Sequence, residues 1–283
     1  MQATMPGETV EMVSVNGYAL RVATRRGRSE GGVPLLLFNG LGASLETFAP
    51  FVEALSLERT VIRFDAPGVG LSSPPRRPYR LWALAWLTGR LLDALGHRSV
   101  DVLGLSWGGL AAQQFALQLP RRCERLILAS TCPGMVAPGP LDALVKLSDP
   151  RRHTDPEYLT RIAGDTYGGE IRRRPELSGV LAEGRHPDPV GYRYQQLAAV
   201  GWLSLPFLPL LCQPTLVVSG TDDPLIPELN ARLLASLIPK AALHLFEDGH
   251  LGLMTRANEV APVIEAFLNN GRDVAGAGSG VAL

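Results

Sequence analysis

Val100-Asp-Val-Leu-Gly-Leu-Ser-Trp-Gly-Gly-Leu110 decides how this chain folds. The apolar run Val100 to Leu105 has the length and composition of a buried strand. It ends in Gly104-Leu105-Ser106-Trp107-Gly108, and a helical pattern over Trp107–Leu119 begins at once behind it. Strand, sharp turn and helix around G-x-S-x-G make a nucleophile elbow, with the serine in a strained conformation. Side chains two positions either side of Ser106 would collide with the neighbouring strand and helix, so glycine stands at both. The first amides of the helix, with its positive dipole end, point where negative charge would develop. G-x-S-x-G also occurs in ordinary turns, so three other segments must give it meaning.

Upstream, Val33-Pro-Leu-Leu-Leu-Phe38 opens into Asn39-Gly40-Leu41-Gly42, a buried strand followed by a glycine-rich loop. Such a loop supplies one oxyanion amide to an elbow serine, so the expected oxyanion donors are the backbone N–H groups of Leu41 and Trp107. Downstream, Pro214-Thr-Leu-Val-Val-Ser219 runs into Gly220-Thr-Asp-Asp-Pro-Leu-Ile-Pro227. A histidine base needs a carboxylate to fix its tautomer and stabilise the imidazolium. Asp223 is the expected partner; Asp222 is expected to face solvent or cap the turn. Asp65, in Phe64-Asp-Ala-Pro-Gly-Val-Gly70, is a rival carboxylate whose Pro and Gly neighbours point to a turn-organising role.

The third segment is Leu243-His-Leu-Phe-Glu-Asp-Gly-His250. Of the five histidines, His97 precedes a strand, His153 and His186 lie in charged, proline-rich stretches, and His244 alternates within a strand. Only His250 sits where a strand's end delivers it to a cleft. Parallel sheets carry their sites at the carboxyl ends of strands. Ser106, Asp223 and His250 occupy three such ends, in the order Ser…Asp…His that elbow enzymes require.

The rest of the chain fits around these ends. Its 283 residues, 46% hydrophobic, can bury a substantial core as one domain with an insertion. Formal net charge is zero, so nothing favours nucleic acid, and the arginine clusters at 25–26, 76–77 and 172–174 are expected to be solvated surface. No signal peptide or membrane-length apolar run is visible. Three widely spaced cysteines, Cys123, Cys132 and Cys212, lack metal-ligand spacing and suit reduced thiols in a cytoplasmic setting.

Strands are expected near Val10–Val15, Tyr18–Ala23, Leu35–Phe38, Thr60–Phe64, Val100–Leu105, Arg125–Ala129, Thr215–Ser219 and Ala242–Phe246. Further helices are expected at Leu81–Leu95, Glu228–Leu237 and Asn258–Leu268. This alternation gives an α/β fold: a mostly parallel eight-stranded sheet flanked by helices. The alternation breaks between residues 133 and 213, where short amphipathic pieces (Leu141–Leu147, Tyr158–Tyr167, Tyr192–Leu203) suggest an inserted helical lid. The core is therefore expected in two parts, 1–132 and 214–271, with 272–283 as a flexible Gly/Ala-rich tail.

Together, Phe38-Asn-Gly-Leu-Gly-Ala43, Phe64-Asp-Ala-Pro-Gly-Val-Gly-Leu-Ser-Ser73, Gly104-Leu-Ser-Trp-Gly-Gly109, Asp223-Pro-Leu-Ile-Pro227 and Asp248-Gly-His-Leu251 resemble the α/β-hydrolase superfamily. Pro75-Arg-Arg-Pro-Tyr-Arg80, Tyr167-Gly-Gly169 and the Asn-Gly turn are more closely similar to the intracellular depolymerases of medium-chain-length polyhydroxyalkanoates. Asn39 stands where many hydrolases have histidine, and Thr221 where an acidic residue is expected. The resemblance implies a serine ester hydrolase working through an acyl-enzyme, with no metal or organic cofactor. Its expected substrate is a hydrophobic polyester of 3-hydroxy acids, and its expected partner a cytoplasmic storage granule's surface. A carboxylesterase or lipase on smaller esters, a carbon–carbon bond hydrolase, and a non-catalytic binding protein on the same scaffold remain alternatives. Ser106 at the elbow excludes an aspartate nucleophile.

Overall fold

A computed structural model describes residues 7–29, 31–182 and 187–270. The stretch 272–283, His186 and the side chain of His153 lie outside what it describes. The strands are β1 (Glu8–Val15), β2 (Tyr18–Arg25), β3 (Leu35–Phe38), β4 (Val61–Phe64), β5 (Val100–Leu105), β6 (Cys123–Ala129), β7 (Thr215–Gly220) and β8 (Ala241–Phe246). They form one sheet in the order β1-β2-β4-β3-β5-β6-β7-β8. β1 and β2 pair through a two-residue hairpin whose Asn16 and Gly17 both take positive φ, 48° and 81°, as a type I′ turn requires. β2 is also antiparallel to β4, and the remaining pairings are parallel. The elbow strand β5 sits in the middle.

Both faces of the sheet are buried, which is why its central strands are continuous apolar runs rather than alternating ones. Leu36, Val102, Leu126 and Val217 pack beneath α2 (Leu81–Ala94), α3 (Trp107–Gln118) and α10 (Glu228–Leu237). Leu35, Leu103, Ile127 and Leu216 pack against α1 (Ala49–Ala54), α11 (Gly252–Thr255) and α12 (Ala257–Asn270). On α2, Leu84, Ala85, Leu91 and Leu92 face the first of these two cores, while Trp82 and Trp86, one turn apart, stay exposed.

Between β6 and β7 the described residues form six α-helices: α4 (Leu141–Ser148), α5 (Arg151–Thr154), α6 (Pro156–Tyr167), α7 (Gly169–Arg173), α8 (Gly179–Ala182) and α9 (Pro189–Ala199). Two start at Asp-Pro. Asp155 accepts the Tyr158 amide at 3.0 Å and Asp188 the amides of Val190 and Gly191 at 3.0 and 2.9 Å, with proline at the first helical position. The third amphipathic piece, expected to reach Leu203, stops at Ala199, and Gly201 with φ 72° turns the chain.

Two further points differ from the sequence-based expectation. Helix α1 has no counterpart in the sequence reading, because six residues with Pro50 in the first turn are too short to show a period. Arg25 is not solvated surface: it is 3% exposed and donates to the carbonyls of Val52, Leu55 and Ser56, closing the end of α1. Arg26, Arg76, Arg77 and Arg172 to Arg174 are exposed as expected.

Asp65 does organise a turn. Its Oδ1 accepts the Leu45 amide at 2.8 Å, and its Oδ2 accepts the Leu71 amide at 3.1 Å and faces Arg21 at 3.4 Å. Burial nevertheless pushes its carboxyl up to about 6, against the pull of those amides and the Arg21 guanidinium. The native state therefore holds the Asp65 proton more tightly than the unfolded chain does. That stabilisation is complete below about pH 4 and is lost as pH rises to about 6, at most about 3 kcal/mol. In Asp65→Asn this position no longer titrates, so the melting-temperature gap between wild type and variant should narrow by several degrees from pH 4 to 7. About 1 kcal/mol moves Tm by about 2–4 °C in a chain of this size. Calorimetry showing a gap that stays flat or widens would contradict this assignment.

Candidate active site

The elbow has the strain its sequence announces. Ser106 has φ 55° and ψ −120°, outside the regions L-residues favour. Its amide donates to the Ala129 carbonyl at 2.9 Å, and its carbonyl accepts from the Gly109 amide at 2.8 Å and the Thr131 hydroxyl at 2.7 Å. These bonds hold the turn against its own strain. A Cβ at Gly104 would lie 2.4 Å from the Gly108 carbonyl oxygen, and one at Gly108 would lie 2.2 Å from that of Phe38. Both glycines are needed for close approach, so that α3 can begin directly over β5 and β3.

Asp223 and His250 reach Ser106 from the loops after β7 and β8, two and three places along the sheet from β5. The Nε2 of His250 is 2.9 Å from the Ser106 Oγ, and its Nδ1 is 2.8 Å from the Asp223 Oδ2. The other Asp223 oxygen accepts the amides of Leu225 and Ile226, each at 2.9 Å, so the turn that ends at Pro227 locks the carboxylate. Histidine and aspartate side chains are both buried, at 4% and 0% exposure. With Asp223 accepting at Nδ1, the Nδ1–H tautomer leaves Nε2 as an acceptor toward the serine hydroxyl.

The loop after β3 lies beside the serine: a Cβ on Gly40 would stand 3.8 Å from that of Ser106. Asn39 shapes this loop, its amide donating to the Ser44 carbonyl and its oxygen accepting the Gly40 amide at 2.9 Å. That is how asparagine can occupy a position where many hydrolases have histidine. Leu41 lies on this loop and lines the pocket with Ser106, and Trp107 opens α3 directly after the serine.

Asp222 reaches beyond its own turn. It is half exposed, accepts the Gly169 amide at 2.8 Å and pairs with Arg172, which holds its carboxyl below the usual carboxylate range. The helical insertion is tied to the site elsewhere too. Tyr167 stacks on the His250 ring, centroids 6.3 Å apart, and its carbonyl accepts the His250 amide at 2.7 Å. Buried Asp248 accepts the amides of Glu170 and Gly249 at 2.7 Å each and the Thr255 hydroxyl at 2.6 Å. From α9, the Gln195 side chain accepts the Gly42 amide at 2.7 Å, and its carbonyl accepts the Trp107 indole at 2.9 Å. Arg152 of α5 donates to the carbonyl of Leu41. Sequence reasoning missed Tyr167, Asp248, Gln195 and Arg152; the signals available were Tyr167-Gly-Gly169 and Asp248-Gly-His-Leu251.

A pocket lined by Leu41, Leu147, Tyr167, Leu181 and Leu251 surrounds Ser106 and His250, apolar apart from a few convergent polar groups. Among the described residues, no cluster of His, Cys, Asp and Glu is arranged to hold a metal ion, and no helix is long and apolar enough to cross a membrane. The three cysteines are free, two buried and one exposed.

A model of the alpha/beta hydrolase fold matches residues 33–177 and 166–257. The chain is 49% identical over 262 residues to the poly(3-hydroxyalkanoate) depolymerase of Ectopseudomonas oleovorans, covering 92% of each. It is 30% identical to a mouse serine hydrolase, covering 92% of this chain and 86% of that one. Among solved structures, it superposes on the enol-lactonase of Burkholderia xenovorans LB400 with a TM-score of 0.79 at 27% identity, over 91% of this chain and 99% of that one. The sequence pattern, the sheet order and these likenesses agree, and the chain belongs to the α/β-hydrolase-fold family.

Proposed function

We propose that this protein is a serine ester hydrolase that depolymerises medium-chain-length poly(3-hydroxyalkanoate). One observation carries the chemistry: the unbroken Ser106–His250–Asp223 hydrogen-bond chain, at 2.9 and 2.8 Å. The identity shared with the Ectopseudomonas depolymerase over nearly its whole length supports the substrate. His250 takes the Ser106 proton as the hydroxyl attacks an ester carbonyl, and Asp223 stabilises the imidazolium. The Leu41 and Trp107 amides hold the oxyanion. The acyl–oxygen bond breaks, the departing alkoxide takes the proton from His250, and a water activated by the same imidazole frees the acyl group from Ser106. Residues 133–213 act as the lid, supplying the apolar wall over the serine.

The site of action is the granule surface in the cytoplasm. Trp82 and Trp86 of α2 are exposed at 61% and 50%, and Leu197 and Val200 at 47% and 63%. Arg80 donates to the carbonyls of Leu197 and Val200, which brings the start of α2 against the end of α9. This is an apolar face suited to a water-insoluble polyester.

The test compares a poly(3-hydroxyoctanoate) emulsion with p-nitrophenyl octanoate. Wild type should clear the emulsion and release 3-hydroxyoctanoate or its short oligomers. Trp82→Ser/Trp86→Ser should slow clearing about tenfold or more, the two aromatic anchors being worth a few kcal/mol at a surface. Turnover of the small ester should be largely retained. Small-ester turnover without clearing by wild type would instead identify a carboxylesterase, and equal loss on both substrates would remove the surface from the reading.

A further inference from the structure

Among the described residues, the pocket contains a buried cation with no anion paired to it. Arg152 is 3% exposed. Its Nε donates to the Tyr192 hydroxyl at 3.2 Å, one Nη to the Tyr167 hydroxyl at 3.1 Å, and the other Nη to the Leu41 carbonyl. All three acceptors are neutral. Among the described residues no carboxylate lies within ion-pair distance of it, whereas its exposed neighbour Arg151 pairs with Asp149 at 2.7 Å. A buried charge is normally retained only when it is paired. The guanidinium has more N–H donors than the three these contacts use, and it lines the same pocket as Ser106 and His250. Its fork geometry fits a planar anion.

The geometry points to Arg152 as the binding site for the terminal carboxylate of the polyester, making the enzyme exo-acting from the carboxyl end. This rests on the depolymerase reading above. A poly(3-hydroxyalkanoate) chain is neutral except for one free carboxylate, at the end of its last 3-hydroxy acid unit. In that unit only two carbons separate the ester oxygen from the carboxylate carbon. Arg152 lines the pocket that holds Ser106 and His250, and it touches the carbonyl of Leu41, the residue whose own amide is a proposed oxyanion donor. With the carboxylate on Arg152, Ser106 attacks the last ester carbonyl. The terminal unit leaves as a free 3-hydroxy acid, its alkoxide protonated by His250. The shortened chain remains as an acyl group on Ser106. Hydrolysis by water then gives that chain a new terminal carboxylate, so each turnover regenerates the group that Arg152 binds.

The decisive comparison is the dimer of 3-hydroxyoctanoate as free acid and as methyl ester, following cleavage of the inner ester. In wild type kcat/KM should favour the free acid by about 10- to 100-fold, the range for a hydrogen-bonded charge. Arg152→Met should bring that ratio near one, whatever it does to the common rate, and Arg152→Lys should retain part of it. Wild type alone provides a second reading: 3-hydroxyoctanoate should inhibit p-nitrophenyl octanoate turnover competitively, at least about tenfold better than the neutral 3-hydroxyoctanamide. A wild-type ratio near one, equal inhibition by acid and amide, or equal loss on both dimers in Arg152→Met would each overturn the carboxylate site. The last would leave Arg152 as a positioning residue for Leu41. Absence of p-nitrophenyl octanoate turnover in wild type is a separate result, and it would fall on the hydrolase reading itself.

Discussion

Ser106→Ala is expected to lower kcat on p-nitrophenyl octanoate by about 10⁶, the loss seen when a serine-triad nucleophile is deleted. The size follows from the arrangement. His250 Nε2 is bonded to the Ser106 hydroxyl at 2.9 Å, so removing that oxygen leaves the base without the nucleophile it would deprotonate for acyl transfer. The proposed oxyanion amides and the apolar pocket stay, and they should account for the residual rate over water. Stability should change little, because the elbow at φ 55° is held by backbone bonds and by Thr131 on the Ser106 carbonyl, all of which alanine keeps. Wild type should react with a fluorophosphonate probe and the variant should not. A folded variant with near-wild-type turnover would remove Ser106 from the mechanism.

The parts of this molecule that were legible in the sequence are those whose cause is local. β3, β5, β6 and β7 announce themselves because burial on both faces demands consecutive apolar residues. The elbow is legible because its strain and close approach are met within five residues, by Gly104 and Gly108 around Ser106. Asp223 and His250 follow because each ends a readable strand. The insertion was recognisable as helical, yet its contributions to the pocket were not. Gln195 finds the Gly42 amide 153 residues away, and Arg152 finds the Leu41 carbonyl 111 residues away. No periodicity encodes such pairings. Arg25 was misread for the same reason: within an Arg-Arg pair at a strand end, nothing marks which guanidinium will meet the carbonyls of α1 some 30 residues on.

The adjacent carboxylates give the sharpest test of the remaining assignment. Asp223→Asn should lower kcat by about 10⁴ through the tautomer rather than the geometry. Asparagine can keep its oxygen on the amides of Leu225 and Ile226, which now hold the Asp223 Oδ1 at 2.9 Å. Its NH₂ then faces His250 Nδ1 where the Oδ2 stood at 2.8 Å, and forces that nitrogen to accept. The ring proton moves to Nε2 and points at the Ser106 hydroxyl, so the base is blocked while the fold is intact. Asp222→Asn has no such consequence. Its side chain is 49% exposed, its ion pair with Arg172 is screened by water, and asparagine can still accept the Gly169 amide. It should cost at most about 1 kcal/mol of stability and leave kcat within about threefold. Steady-state kinetics on the two variants, with melting curves beside them, decide between the neighbours. A deeper loss in Asp222→Asn than in Asp223→Asn would mean that the carboxylate serving the histidine had been misidentified.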